Sequence, residues 1–201
     1  MPSQRQILGF LKQGDADAFA AAMVAEGRDA LAAATFEKLT LSYAALENLD
    51  LSNTEWEECM VEGASFRGSD LTGAYFNGCT FMDCVFEDVD ASTASMDGTI
   101  FRGCIFRRAN LDSTECTGLE FTSCVLEGVT LDECEWNAVT FSGGAWESVS
   151  ASSGSLSAVT LRDVTLGNDI DLTDADLSRC MTTGDGPDGF EKLSGKRKRI
   201  L

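Results

Sequence analysis

Apolar residues, most of them large, occupy every fifth position from Phe36 to Leu166 without interruption. A second series of mostly smaller residues lies two positions before each of them, beginning with Ala34 and ending with Val164. Neither the 3.6-residue period of an α-helix nor the two-residue alternation of a strand would place these residues on one face. A repeat architecture does, because each short unit contributes the same inward pair to a shared core.

Glycine is concentrated at one position of this pattern, two residues after the large inward residue. Glycine tolerates backbone conformations that other residues avoid, so this position predicts a corner between short extended segments. The glycines at this position are Gly63, Gly68, Gly73, Gly78, Gly98, Gly103, Gly118, Gly128 and Gly143.

Several five-residue units follow one formula: a small residue, a polar residue, Leu or Phe, and two variable positions. Residues 69–73, 109–113 and 175–179 are close matches. On these units the chain resembles the pentapeptide-repeat family, over residues 34 to about 182. The resemblance implies an all-β repeat solenoid, a right-handed quadrilateral β-helix with one unit per side and twenty residues per coil. About seven coils spaced roughly 4.8 Å apart would form a rod on the order of 30 Å long.

Wrapping the chain at twenty residues per coil assigns it to four sides. We call them the first, second, third and fourth sides, centred in the first coil on Phe36, Leu41, Leu46 and Leu51. Aromatic ladders are expected inside the second and third sides. The rhythm slips by one residue at 167–169, which predicts a local bulge.

Residues 1–33 lack the five-residue pattern and are predicted to form an N-terminal helical cap. Ser3 to Gln6 matches a capping box, and Gly14 suits the end of this first helix. Because an open solenoid end exposes core and unpaired strand edges, the cap is expected to cover the first coil. A helix that docks onto a partner is the alternative.

A second helix is predicted after Asp15, which can cap it, and before Gly27, which breaks it. Its apolar residues at helical spacing are Phe19, Met23 and Val24.

The predicted domains are therefore residues 1–33 as the cap, 34–183 as the β-helix and 184–201 as a basic C-terminal tail. The tail is either a solvated end or a segment that contacts nucleic acid, an acidic partner or the protein's own anionic edge.

All eight cysteines fall on inward positions of the repeat, so we expect them to act as small core residues with reduced thiols. Disulfides between the stacked Cys84, Cys104 and Cys124 are the less favoured alternative, because their parallel side chains suit a bridge poorly. No zinc site is expected, since the chain has no histidine and no Cys-x-x-Cys pair.

Catalysis is not expected, because the absence of histidine removes Ser-His and Cys-His activation and no pocket is evident. We expect no cofactor and no metal. No apolar run reaches membrane-spanning length and residues 1–33 show no secretory signal, so no membrane contact and a cytoplasmic location are the default expectations.

Net charge is −18 and is unevenly distributed. Residues 1–33 carry three basic and four acidic residues and residues 184–201 carry five basic and three acidic, which leaves −19 on the solenoid. The candidate partner-binding residues form an acidic edge on the fourth and first sides: Asp50, Asp70, Asp90, Glu55, Glu57, Glu58, Asp97, Glu115 and Glu135. The alternative is that these acids only keep the protein dispersed and satisfy the repeat's preference for Asp or Asn.

Family resemblance implies a non-enzymatic protein-interaction module. Some pentapeptide-repeat proteins protect type II DNA topoisomerases, such as gyrase, from quinolones with an anionic rod that mimics duplex DNA. The resemblance thus implies a protein partner, with a type II DNA topoisomerase as the specific candidate, no direct nucleic-acid binding by the acidic solenoid, and a homodimer through a solenoid end. A scaffold or adaptor with an unrelated protein partner is the alternative.

Overall fold

The computed structural model describes residues 2–183, in which two α-helices precede a parallel β-solenoid of about seven turns. The helices are α1, Gln4–Gln13, and α2, Ala16–Glu26. This architecture confirms the predicted solenoid with an N-terminal helical cap. The predicted basic tail, residues 184–201, lies outside the described residues.

Short strands form three of the four sides. The first side contains Thr35–Glu37, Glu55–Glu57, Tyr75–Asn77, Glu115–Thr117, Glu135–Asn137 and Ser155–Ser157. The second side contains Thr40–Ser42, Met60–Glu62, Thr80–Met82, Ile100–Arg102, Glu120–Thr122, Thr140–Ser142, Thr160–Arg162 and Met181–Thr183. The third side contains Val85–Glu87, Ile105–Arg107, Val125–Glu127, Ala145–Glu147 and Thr165–Leu166.

The strands pair in parallel with a register of twenty residues, which confirms the predicted coil length. Phe81 lies opposite Phe101 on the second side, and Phe86 lies opposite Phe106 on the third. The fourth side is joined by single bridges between turns rather than by strands. After the predicted extra residue at 167–169, paired residues are twenty-one positions apart, since Thr160 pairs with Met181. This change of register confirms the expected bulge.

The corners require a left-handed backbone, which explains why glycine recurs there. Gly63 has φ of 61° and Gly103 has φ of 62°. Residues with a side chain adopt the same conformation at equivalent corners, for example Asn48 at 55° and Asp83 at 52°. Such residues cost roughly 1 kcal/mol each relative to an ordinary conformation. The coil geometry imposes this conformation at the corner whichever residue the chain supplies.

The large inward residues from Phe36 to Leu161 are all buried and form a continuous column of side chains. On the second side the ring centroids of Phe101 lie 5.1 Å from Phe81 and 5.2 Å from Phe121, with the rings nearly parallel. Neighbouring sides meet edge to face, as Phe101 and Phe106 do at 5.2 Å and 81°. Both arrangements are favourable for aromatic rings, so the ladders stabilise the stacking of coils.

The two helices of the cap begin and end where the sequence predicts. The Ser3 amide donates to the Gln6 carboxamide at 2.8 Å, Gly14 ends α1 with φ of 69°, and Asp15 accepts from the Ala18 amide at 3.0 Å. Ile7, Leu11 and Phe19 are buried in the same core as the solenoid. The exception is Val24, which is 88% exposed. Val24 therefore does not belong to the packed face of α2 that the sequence pattern assigned to it.

Hydrogen bonding of the solenoid begins before residue 34. The Arg28 carbonyl accepts from the Asp50 amide at 2.8 Å, and the Ala33 amide donates to the Ser52 carbonyl at 2.9 Å. Leu31 is fully buried and lies one five-residue step before Phe36. Residues 28–33 thus pair with the coil above them and link the cap to the first complete coil.

All eight cysteines are free thiols, and seven of them are buried. Six of the thiols donate to a carbonyl of the preceding coil, as Cys59 does to Phe36 at 3.1 Å and Cys124 to Phe101 at 3.4 Å. Burial raises the pKa of Cys116 and of Cys134 to about 12. These thiols act as small core residues and stay protonated at neutral pH.

We expect Phe101→Ala to destabilise the rod by about 3–5 kcal/mol, because it removes a buried ring from both its stack and its edge-to-face contact. Urea denaturation followed by circular dichroism measures this loss. Glu120→Ala, at an exposed position one coil above, is the control and should change stability by no more than about 0.5 kcal/mol. Equal effects of the two substitutions would contradict the stacked core.

We also expect stability to fall as pH rises from about 9 towards 12, because Cys116 and Cys134 ionise near 9 in the unfolded chain but only near 12 in the folded one. Each thiol should contribute a loss of about 1 kcal/mol by pH 10. Denaturation under reducing conditions at pH 8, 9 and 10 measures the slope. The double variant Cys116→Ala/Cys134→Ala corrects for tyrosine and lysine titration and should have a flatter slope; an identical slope would refute the assignment.

Candidate functional site

The fourth side carries a straight column of acidic residues. Asp50, Asp70 and Asp90 bridge to one another in successive coils, and Asn110 continues the column. Because coils of a parallel solenoid lie roughly 4.8 Å apart, the carboxylates repeat at this spacing along the rod. The predicted stacking of these three acids is therefore present in the structure.

Each of these carboxylates is held by the turn that follows it. Asp50 accepts hydrogen bonds from the Ser52 hydroxyl at 2.6 Å and the Ser52 amide at 3.0 Å. Asp70 and Asp90 likewise accept from the amide two residues later, at 2.9 and 3.0 Å. The Ser52 hydroxyl bond lowers the pKa of Asp50 below its ordinary value. These aspartates thus build the turns as well as supplying charge, and their side chains are fixed in position.

The first side supplies the other half of the acidic edge. Glu55, Glu57 and Glu58 are exposed in one coil, and Glu115 lies directly opposite Glu135 in the strand register. Within residues 2–183, none of the nine edge carboxylates forms an ion pair with a lysine or arginine. No direct ion pair therefore neutralises these nine carboxylates, although Lys38 lies near Glu57 and Glu58 and Arg28 lies near Asp50.

A shallow hollow of about 290 Å³ interrupts the first side. Asp97, Glu115 and Glu135 border it, and the Asp97 carboxylate accepts from the Thr117 amide at 2.8 Å. The inward residue beneath is Cys116, whereas the other coils of this side carry a larger residue, Phe, Trp, Met or Leu. Among the residues that the structure describes, no group of three or more potential ligands is placed to hold a metal ion.

The structure brings all nine predicted residues onto two adjacent sides of the rod, where they form one continuous surface. It also adds acids that the sequence analysis did not include: Glu37, Asp112, Asp132 and Glu133. Asp132 accepts from the Ser150 hydroxyl at 2.6 Å and the Ser152 amide at 2.8 Å. Asp112 and Asp132 both occupy the position directly after the large inward residue, and this recurrence is the signal that could have identified them. On this side the predicted acidic edge was drawn only from the position before the large inward residue, so both were missed.

Neither described helix is long and apolar enough to cross a lipid bilayer.

Comparison with known proteins points to repeat proteins. Residues 57–88 and 92–128 match the family model described as pentapeptide repeats, in eight copies. Among curated proteins none matches the chain significantly.

Solved structures with similar architecture share little sequence. A structure of QnrB1, described as a plasmid-mediated fluoroquinolone resistance protein, is 17% identical, with 86% of this chain and 93% of QnrB1 covered and a TM-score of 0.38. HetL from Nostoc sp. strain PCC 7120, described as involved in heterocyst differentiation regulation, is 15% identical, with 84% and 97% covered and a TM-score of 0.26. A thylakoid-lumen protein from Arabidopsis thaliana is 18% identical, with 56% and 67% covered and a TM-score of 0.24.

Both matched ranges lie within the uniform twenty-residue register of the solenoid, in which each five-residue unit forms one side. The repeats of residues 57–88 and 92–128 belong to the pentapeptide-repeat family.

Proposed function

We propose that this protein is a non-enzymatic interaction module whose acidic edge binds a protein surface built to hold duplex DNA, and that a type II DNA topoisomerase such as gyrase is its partner. The observation that supports this proposal is the array of nine carboxylates, none of which is ion-paired within residues 2–183 and of which the four aspartates are held by backbone amides.

The charge density of the edge suits such a partner. Duplex DNA carries one negative charge per about 1.7 Å of its axis. Nine carboxylates over five coils, roughly 24 Å, give one charge per about 2.7 Å, and Asp112, Asp132 and Glu133 raise the density further. A cationic groove shaped for DNA would thus meet a rod of comparable charge, and binding would weaken with salt.

The partner class comes from the family. Pentapeptide-repeat proteins include protectors of type II topoisomerases, and an elongated anionic body is the physical requirement of that activity. This chain meets the requirement with an uninterrupted rod and without projecting loops between residues 34 and 166.

A scaffold or adaptor that binds an unrelated protein is the second candidate. The turn-building hydrogen bonds of Asp50, Asp70 and Asp90 favour it, because they explain the recurrence of aspartate without any partner. A scaffold would retain its partner at salt concentrations that dissociate a complex formed by charge mimicry of DNA.

Asparagine is the substitution that separates charge from turn structure. Asn110 occupies the same column and accepts from the Asp112 amide at 2.9 Å, so the asparagine side chain preserves the turn. Replacing the three aspartates by asparagine should therefore remove three charges and leave the fold intact.

We expect Asp50→Asn/Asp70→Asn/Asp90→Asn to weaken binding to gyrase by about tenfold or more, because three charges facing a cationic groove are lost. Inhibition of gyrase supercoiling and competition with labelled duplex DNA measure the effect. The salt dependence of binding should become shallower in the variant, since fewer charges are neutralised in the complex.

The matched control is Asp83→Asn/Glu120→Gln/Asp163→Asn, which removes three exposed charges from the second side, opposite the fourth. It should bind almost as well as the unchanged protein. Equal weakening by both variants would show that only net charge matters. Unchanged binding of the first variant would exclude the aspartate column as the recognition surface. Absence of any effect on type II topoisomerases, with a partner retained at high salt, would favour the scaffold.

A further inference from the structure

The third side differs from the acidic edge because its charges alternate in sign. One outward column, one residue after the large inward position, reads Glu47, Arg67, Glu87, Arg107, Glu127 and Glu147. The parallel column on its other flank is small and apolar in its middle coils, with Val85, Ile105 and Val125 in direct register. We call these two columns and the adjoining corner residues Asp88 and Arg108 the third-side face.

Ion pairs organise the charges of the third-side face. Arg67 lies 2.5 Å from Glu87, and Arg107 lies 2.8 Å from Glu127. Arg108 contacts Glu87 at 2.6 Å and Asp88 at 2.7 Å. These contacts hold the long arginine side chains against the rod, so less side-chain entropy remains to be lost when another surface docks.

If the order of the coils is reversed in a second copy of this face, most of its charged residues lie opposite residues of the other sign. When this reversal is centred midway between the coils of Phe86 and Phe106, Glu87 of one copy faces Arg107 of the other, and Arg67 faces Glu127. At the corner Asp88 faces Arg108, and in the apolar column Val85 faces Ile105. The exception is the outermost pair, Glu47 and Glu147, where like charges meet. Those two carboxylates already accept hydrogen bonds, from the Ser65 hydroxyl at 2.6 Å and the Asn168 amide at 3.2 Å.

We propose that a second copy of this chain docks on the third-side face, with the two rods side by side and antiparallel. A two-fold axis parallel to the strands, between the coils of Phe86 and Phe106, brings each column onto itself in reversed order. Such an interface is isologous, since each contact between two different residues occurs twice. Each intrachain ion pair then becomes part of a four-charge cluster, and the apolar columns meet in its centre.

The arrangement also limits the repulsion between two strongly acidic chains. The third side is opposite the first, so the first-side half of the acidic edge points away from the interface in both copies. Charges separated by more than about 8–10 Å are largely screened at physiological ionic strength. The dimer therefore leaves the first-side half of both acidic edges accessible, whatever their partner.

The size of the face makes this a weak dimer. Six coils at roughly 4.8 Å and strands of three residues give a face of about 29 by 10 Å, well under the roughly 800 Å² per partner of a standard stable interface. The contact should therefore depend on charge complementarity. We expect it to dissociate as salt is raised.

Charge exchange provides the test. In Arg107→Glu the new glutamate meets Glu87 of the second copy, and in Glu87→Arg the new arginine meets Arg107 of the second copy. We expect each variant alone to raise the dimer dissociation constant by at least about tenfold relative to the unchanged protein in low salt. An equimolar mixture of the two variants restores opposite charges at both contacts and should recover dimerisation. Sedimentation velocity over a concentration series measures all three.

Glu120→Arg on the second side makes the same change of charge away from the face and should dimerise at least as well as the unchanged protein. Thermal unfolding verifies that each variant folds, and small-angle scattering should show a dimer no longer than one rod. A chain that stays monomeric in low salt, a dimer that both variants leave unchanged, or a dimer twice the length of a rod would each overturn the proposal. Failure of the mixed variants to associate would do the same.

Discussion

Parallel hydrogen bonding between each residue and the residue twenty positions later is the constraint on which this molecule depends. It places Phe81 beneath Phe101 and Asp50 beneath Asp70, so every position of one coil is repeated directly above in the next. Any residue type that recurs at twenty-residue intervals therefore becomes a column. The aromatic ladders, the free thiols and the acidic edge are all columns of this kind.

This constraint gives each side of the rod its own chemistry. Apart from the pair between Glu37 and Lys38, the fourth and first sides collect carboxylates without ion pairs among the described residues, whereas the third side combines glutamates with arginines and pairs them. Because the columns have fixed spacing, a partner meets a rigid array of charges rather than flexible chains. Rigid presentation reduces the entropy lost on binding, which suits recognition by an elongated surface.

Several residues serve structure and surface at once. Asp50 closes a turn through Ser52 and contributes to the acidic edge. Arg108 holds Glu87 and Asp88 and lies on the third-side face. For such residues, only a substitution that keeps one role and removes the other can separate them, and asparagine at Asp50 is one example.

The sequence by itself determined the inward residues, the corners, the bulge and the helix ends at Gly14 and Gly27. These follow from local chemistry and from the five-residue period, whereas the coil length of twenty residues was what the resemblance to the pentapeptide-repeat family implied. Only the tertiary structure decided that Val24 faces solvent, that the fourth side is joined by bridges between turns, and that Arg107 pairs with Glu127. Helical spacing does not say which residues meet a neighbour, and an ion pair between coils depends on side-chain rotamers, which no linear pattern encodes.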